Sequence, residues 1–148
     1  MDQNLYGALN QLLQDLTVAQ RNIHILHWNL IDKGFIYLHP YLGDVYNQLF
    51  EYVDITAEQI RFQDGFPEGT LQDAVSHARL STINSKCPYT YEEAINIAIS
   101  NLQYLKKFTN NIITYADEHE YWDVVDVFSA QVVYYDKVLY FLKSSIEQ

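Results

Sequence analysis

Histidine and carboxylate side chains are concentrated in two stretches of the chain, and their spacing is typical of ligands for a metal ion. His27 and His39 lie twelve residues apart, on either side of the polar break "DKG". Asp54 and Glu58 follow in "DITAE", with the i, i+4 spacing that places both carboxylates on one face of a helix. Imidazole nitrogens combined with carboxylate oxygens suit iron(II). The alternative interpretation of His24 and His27, spaced i, i+3, is helix-flank histidines at a subunit contact, and that of the two acids is a solvated face.

These four residues cannot bind one metal ion from a single chain. At about 100° per residue, His39, Asp54 and Glu58 fall within a sector of roughly 100° on one helix, but His39 and Asp54 are separated by about 22 Å along its axis. Two copies of this helix, packed antiparallel about a two-fold axis, would bring His27 and His39 of one chain to the two acids of the other. The sequence contains no Glu-x-x-His, the pair that holds di-iron inside a single bundle. We therefore predict sites between subunits.

Apolar residues recur with a helical period in four long segments, and no alternating strand pattern competes with them. The first helix is predicted to stop at Gly34 and the second before Gly65, "TLQD" caps a short helix, and Thr90 with Glu93 forms a capping box for the third long helix. The predicted fold class is all-α, a four-helix bundle with a short extra helix in the long crossover between helices 2 and 3. The stripe of the first helix consists of Leu5, Leu9, Leu12, Leu16, Ala19, Ile23, Leu26 and Leu30.

Composition and charge favour a single domain of residues 1–148 and exclude several classes of function. The chain has 148 residues, 49% of them hydrophobic, and can bury a substantial core. Its nine basic residues are scattered among 19 acidic ones, and the net charge of −10 disfavours electrostatic binding to DNA. Cys87 is the only cysteine, which excludes an intrachain disulfide and a thiolate zinc cluster. Because we find neither a membrane-length apolar run nor a signal-peptide pattern, we expect a cytoplasmic protein.

The chain resembles the Dps-type miniferritins, the DNA-binding proteins from starved cells, within the ferritin-like superfamily. The resemblance rests on "HWN" at residues 27–29, "LH" at residues 38–39 and "DITAE" at residues 54–58. The segment "FPEGTLQDA" at residues 66–74 is similar to the family's loop into its short middle helix. "ADEHEYWDVVD" at residues 116–126 is similar to its acidic junction between the last two long helices. The similarity extends over nearly the whole chain.

This resemblance implies a ferritin-like bundle that stores iron. It implies two-fold dimers that assemble into a hollow dodecamer, with ferroxidase sites at the dimer interfaces. There iron(II) would be oxidised, preferably by hydrogen peroxide rather than dioxygen, and stored as a ferric mineral. His27 and His39 would be the nitrogen ligands, and Asp54 and Glu58 of the partner subunit would be the carboxylate ligands. Trp28 matches the tryptophan that the family places beside the site, and it is equally compatible with an interface aromatic residue.

The stretch "HPYLGD" departs from the family pattern. The family usually has an aspartate four residues after the second histidine, whereas this chain has Gly43 there and Asp44 one position later, rotated by about 100°. Pro40 lacks an amide hydrogen and Gly43 weakens a helix, so a reshaped helix start could bring Asp44 to the metal. In a regular helix Asp44 faces away, and the site is one ligand short. The alternative function is therefore an iron-binding or scaffold cage with an impaired ferroxidase site and little catalysis.

Other polar residues receive no single role. In the family, acids at the junction of the third and fourth long helices line the pores through which iron enters, and the alternative is a solvated loop. The candidates in this chain are Asp117, Glu118, Glu120, Asp123 and Asp126. The sequence identifies no partner for His24, His77 or His119.

Overall fold

The computed structural model describes residues 1–147, and five α-helices account for most of that range. The long helices are α1 (Gln3–Asn29), α2 (Phe35–Phe62), α4 (Tyr91–Glu118) and α5 (Trp122–Ile146), and the short α3 (Leu71–His77) lies in the crossover. No strand occurs among the described residues. The predicted all-α bundle with a short extra helix between its second and third long helices is confirmed. Within residues 1–147, no helix combines the length and apolarity needed to cross a membrane.

Capping boxes fix where α3 and α4 begin. At α4, the Thr90 hydroxyl accepts from the Glu93 amide at 3.2 Å, and the Glu93 carboxylate accepts from the Thr90 amide at 3.0 Å, as predicted from the sequence. Thr70 and Asp73 form the same arrangement at α3. The first box fixes the end of the crossover, and the second fixes the start of the short helix within it.

The carboxylate of Asp2 fastens the N-terminus of α1 to the far end of α4. One oxygen accepts hydrogen bonds from the amides of Asn4 and Leu5, at 2.9 and 3.1 Å. The other accepts from the hydroxyls of Tyr115 and Tyr121, at 2.7 and 2.9 Å. The hydrogen bond from Tyr115, followed by that from the Leu5 amide, lowers the pKa of Asp2 to about 2.

The first long helix ends earlier than predicted, and Gly34 begins the second helix instead. α1 ends at Asn29, and Leu30 is extended. Gly34 is the N-cap of α2, with φ at 82°. The ring of Tyr91 packs against Gly34 so closely that a Cβ there would overlap it. The prediction that Gly34 stops α1 was wrong, because a turn separates the end of α1 from this residue. The left-handed backbone that favours glycine is needed at the start of α2 instead.

Contacts between helices establish their relative directions. Two hydrogen bonds join α1 to α4. The side-chain amide nitrogen of Asn22 donates to the side-chain oxygen of Asn101 at 3.0 Å, and the carboxylate of Asp15 accepts from the hydroxyl of Tyr104 at 2.8 Å. Residue numbers therefore rise in one helix as they fall in the other, and α1 and α4 run antiparallel. Because α1–α2 and α4–α5 are helical hairpins, α2 and α5 also run antiparallel.

Two buried polar residues of α1 attach the crossover to the bundle. Asp15 accepts hydrogen bonds from the amides of Arg79 and Leu80, at 2.7 and 2.9 Å. Asn22 accepts from the amide of Ile83 at 3.1 Å. These bonds satisfy buried polar groups that would otherwise destabilise the core.

Candidate metal centre

His27 and His39 each bind the main chain of the other across the α1–α2 turn. His27 lies in the last turn of α1, and its Nδ1 is 2.6 Å from the carbonyl oxygen of His39. The Nδ1 of His39 is 2.7 Å from the carbonyl oxygen of His27. The two rings stack, with centroids 3.7 Å apart and planes inclined by 14°. The hairpin therefore holds the two imidazoles side by side.

The reciprocal bonds determine which ring nitrogen can bind a metal ion. A carbonyl oxygen only accepts hydrogen bonds, so Nδ1 carries the proton in both rings. In a neutral imidazole the lone pair is then on Nε2. Metal-binding histidines typically donate their other N–H to a carbonyl or carboxylate, which fixes the ring and raises its basicity. His27 and His39 both have this arrangement, which leaves Nε2 as the atom that could bind a metal ion.

Gly43 lies against the ring of His27 in a regular part of α2. A Cβ at this position would be 3.2 Å from His27 Cε1 and 3.4 Å from His27 Nδ1. The helix continues from Phe35 to Phe62 with Pro40 inside it. Position 43, where the family pattern has an aspartate, therefore lies beside the histidine pair, and its backbone is not reshaped.

Asp44 lies on another side of α2. Its side chain is exposed. Burial raises the pKa values of Tyr41 and of Tyr134 in α5, and the negative charge of Asp44 adds to both increases. Asp44 therefore acts electrostatically on these two phenols. α2 continues through Pro40 without a break, so no interruption of the helix turns Asp44 towards His27.

Asp54 and Glu58 are the second candidate half-site. They lie one turn apart on α2, and both are exposed. Within residues 1–147, no three His, Cys, Asp or Glu side chains come close enough together to hold a metal ion. One chain therefore contains a nitrogen pair and a carboxylate pair that are each incomplete as ligand sets.

Large apolar side chains are exposed beside both half-sites. Next to the histidines, Trp28 is 53% exposed. Next to the carboxylates, Phe50 is 58% exposed and lines a groove of about 600 Å³ between α1, α2 and the crossover. Asp54 also lines this groove, together with Leu13 and Pro67. Exposed apolar surface of this kind is typical of a protein interface.

His24 differs from the other two histidines of the stretch. Its ring packs between Trp28 and Tyr46, with centroid distances of 3.9 and 3.7 Å. Its Nδ1 is buried and has no hydrogen-bond partner among the described residues. Burial lowers the pKa of His24, and the nearby His27 and Arg21 lower it further. Because no carbonyl holds its Nδ1, His24 lacks the support of a metal ligand, and its contacts are those of aromatic packing.

The acidic junction between α4 and α5 lies at the opposite end of the bundle from His27. At that end the hydroxyl of Tyr115 donates to the carboxylate of Asp2. His119 is the C-cap of α4, and its Nδ1 is 2.8 Å from the carbonyl oxygen of Tyr115. His77 is exposed at the end of α3. The five acids named as pore candidates are all exposed: Asp117, Glu118, Glu120, Asp123 and Asp126. Exposure agrees with both a pore lining and a solvated turn.

The sequence did not indicate the mutual support of the two histidines. Their partners are main-chain carbonyl groups, which every residue carries, so no side-chain pattern marks them. The twelve-residue spacing and the turn between the helices were the only available signals.

The fold agrees with comparisons to known proteins. A family model described as "Ferritin-like domain" matches residues 6–148, and the chain therefore belongs to the ferritin-like family. The DNA protection during starvation protein of Streptococcus suis is 24% identical over 142 residues, 96% of this chain and 83% of the relative. The solved Dps of Staphylococcus aureus is 26% identical with a TM-score of 0.92, covering 99% of this chain and 97% of that one.

A third similar protein is the Dps of Vibrio cholerae O1, described as a member of the superfamily of ferritin-like diiron-carboxylate proteins. It is 21% identical with a TM-score of 0.91, over 98% of this chain and 90% of that chain. Within the ferritin-like family, the chain is a Dps-type miniferritin, as its sequence motifs predicted.

Proposed function

We propose that this miniferritin takes up iron(II), oxidises it at sites between subunits and stores the ferric product inside a hollow homo-oligomer. The observation that carries the proposal is the pair formed by His27 and His39. Each ring is fixed by a carbonyl group at 2.6 or 2.7 Å, which leaves both Nε2 atoms as ligands. A paired, oriented set of nitrogen ligands on an exposed face is the arrangement that a metal-binding role requires.

A two-fold dimer would complete each site. His39 and Gly43 are four residues apart on α2, as are Asp54 and Glu58. An antiparallel copy of α2 that places Glu58 of the partner subunit opposite His39 therefore places Asp54 of the partner subunit opposite position 43. Isologous contacts repeat every interaction, so one interface would contain two equivalent sites. The exposed Trp28 and Phe50 support this face as the interface.

The dimers are proposed to assemble into a dodecamer, as the family resemblance implies. The cage would work in the cytoplasm and would bind DNA weakly, because a net charge of −10 repels the phosphate backbone. Acids at the α4–α5 junction, which are exposed in the single chain, would be available to line entry pores for iron.

The chemistry needs no organic cofactor, since iron is the substrate. Two neutral imidazoles and two carboxylates supply a charge that balances iron(II), and an incomplete ligand set leaves room for the oxidant. Hydrogen peroxide is the proposed oxidant. One peroxide accepts one electron from each of two iron(II) ions and, with two protons, becomes two water molecules. His27, His39, Asp54 and Glu58 would hold the metal while it loses its electron.

The second candidate function is an iron-binding or scaffold cage with little catalysis. Gly43 is the observation that favours it, because the family's carboxylate at this position is missing and the charge of Asp44 acts on Tyr41 and Tyr134 instead. A site with one ligand fewer would hold one iron well and a second iron weakly or transiently. Slow oxidation would follow from the low occupancy of the second position.

Stopped-flow absorbance after mixing the apoprotein with iron(II) and peroxide distinguishes the two candidates. We expect the unaltered protein to form ferric iron faster than the protein-free solution, and Glu58→Ala to lose this acceleration, because the site then lacks a carboxylate. Asp44→Asn on the same helix is the matched control, and it should oxidise iron at the rate of the unaltered protein. No oxidation above the protein-free rate, with iron still bound, would favour the non-catalytic cage.

A further inference from the structure

A group of buried polar side chains in the bundle interior takes no part in the proposed metal sites. Thr56 of α2 and Gln131 and Tyr135 of α5 are all buried, with exposures of 0%, 1% and 0%. Four of their polar atoms have no hydrogen-bond partner among the described residues: Thr56 Oγ1, Gln131 Oε1, Gln131 Nε2 and Tyr135 Oη. Buried polar groups in native proteins are nearly always hydrogen-bonded, so this concentration requires an explanation.

The three side chains face the same space between α2 and α5. The rings of Tyr52 and Tyr135 meet edge to face, with centroids 6.0 Å apart. Because α2 and α5 run antiparallel, the residue one turn after Tyr52 on α2 lies at the same height in the bundle as the residue one turn before Tyr135 on α5. These positions are Thr56 and Gln131. Each lies four residues from its tyrosine and therefore points to the same side of its helix.

The chemistry of this group selects its ligand. A threonine hydroxyl, a carboxamide and a phenol are neutral, and burial keeps the pKa of Tyr135 well above its usual value, so the phenol retains its proton. Neutral groups cannot balance the charge of a buried divalent cation or an anion. They offer both donors and acceptors, which is what a water molecule needs to form its two to four hydrogen bonds in a protein interior.

We propose that Thr56, Gln131 and Tyr135 line an internal hydration site in which ordered water molecules bridge α2 to α5. The waters accept from the Tyr135 hydroxyl and the Gln131 amide nitrogen, and they donate to the Gln131 carbonyl oxygen. Thr56 lies midway between Asp54 and Glu58 in sequence, so the bridge fastens the turn of α2 that carries the carboxylate half-site. The hydration site does not depend on whether the protein oxidises iron.

A crystal structure of the unaltered oligomer at about 1.5 Å resolution is the direct test. We expect ordered water within about 2.7–3.2 Å of Gln131 and of at least one of Thr56 Oγ1 and Tyr135 Oη. The proposal is overturned if Gln131 bonds directly to Thr56 or Tyr135 with no water between them. It is also overturned if the space is dry.

Thermal unfolding supplies an independent measurement. Gln131→Met preserves side-chain length but removes both polar atoms, and Gln103→Met, at an exposed position of α4, is the matched control. If water satisfies Gln131, its replacement should leave the Tm equal to that of the control or below it. If Gln131 is truly unsatisfied, the methionine removes a buried polar cost and raises the Tm above the control, which would contradict the proposal.

Discussion

Replacing Gly43 by aspartate tests whether position 43 is the missing ligand, and replacing it by alanine provides the matched control. Both substitutions add a Cβ at 3.2 Å from His27 Cε1, so in both variants the ring must move by a few tenths of an ångström. Only the aspartate adds a carboxylate. The difference between the two variants therefore isolates the effect of the charged ligand from the effect of crowding.

The structure sets the expected size of each effect. Alanine in place of a mid-helix glycine stabilises by about 0.5–1 kcal/mol. A weakened Nδ1–H···O bond of His27 costs a similar amount, about 0.5–1.5 kcal/mol. The two nearly cancel, so we expect the Tm of Gly43→Ala to stay within about 4 °C of the unaltered protein. Disturbing a histidine's supporting bond typically lowers metal affinity by about 10-fold or more, and Gly43→Ala should show that loss.

The aspartate should increase the affinity for the second iron at least about tenfold over Gly43→Ala, which is about 1.4 kcal/mol. The reason is that a carboxylate compensates the cation for its lost hydration. Anaerobic calorimetry with iron(II) counts the tightly bound irons, and stopped-flow absorbance measures their oxidation. We expect one tight iron per site in the unaltered protein, two in Gly43→Asp, and little change in Asp44→Ala. Two tight irons in the unaltered protein, both lost in Asp44→Ala, would refute this reasoning and make Asp44 the ligand.

The oligomer, the surface charge and the start of α1 provide three further tests. Light scattering should detect a closed oligomer, most simply a dodecamer, and a persistent monomer at working concentrations would contradict the split ligand set. A gel-shift assay at about 150 mM salt should show weak or no binding to duplex DNA, and a sub-micromolar shift would show that the net charge of −10 is not decisive. The pKa of Asp2 falls from 3.8 to about 2 on folding, so its stabilisation is present above about pH 4 and is lost as the pH falls towards 2. Asp2→Asn should therefore flatten the decline of Tm over this interval, and identical pH profiles for the two proteins would exclude the role of this carboxylate.

The fold could be predicted from the sequence because helix formation and burial share one periodic signal. The apolar stripe of α1 repeats without interruption, and the capping residues Thr90 and Thr70 mark helix starts by their own side chains. Gly34 was placed at the wrong helix end because a glycine indicates a positive φ without indicating which neighbour needs it. The close packing of Tyr91, fifty-seven residues later, also excludes a side chain at position 34, and this contact has no local signature in the sequence.

The candidate site was predictable as far as its side chains define it. The spacing of His27, His39, Asp54 and Glu58 predicted two half-sites on separate parts of one chain. The direction of Asp44 depended on how α2 continues past Pro40. The proline alone does not decide this, because a proline inside a helix can either kink the helix or break it. The tautomers of the two histidines depended on carbonyl groups, which no sequence pattern distinguishes.

The reciprocal bonds between His27 and His39 make the α1–α2 turn and the nitrogen pair a single cooperative unit. Local opening of the hairpin would break both bonds and separate the two imidazoles, so a metal ion that needs both rings binds only the closed form. Such an ion adds its binding free energy to the cost of opening, about 2.7 kcal/mol at a concentration 100 times its Kd. Bound iron would then stabilise the closed α1–α2 turn. In an iron-loaded subunit the amides of this turn would exchange their hydrogens more slowly, and the turn would resist proteolysis better, than in an empty subunit.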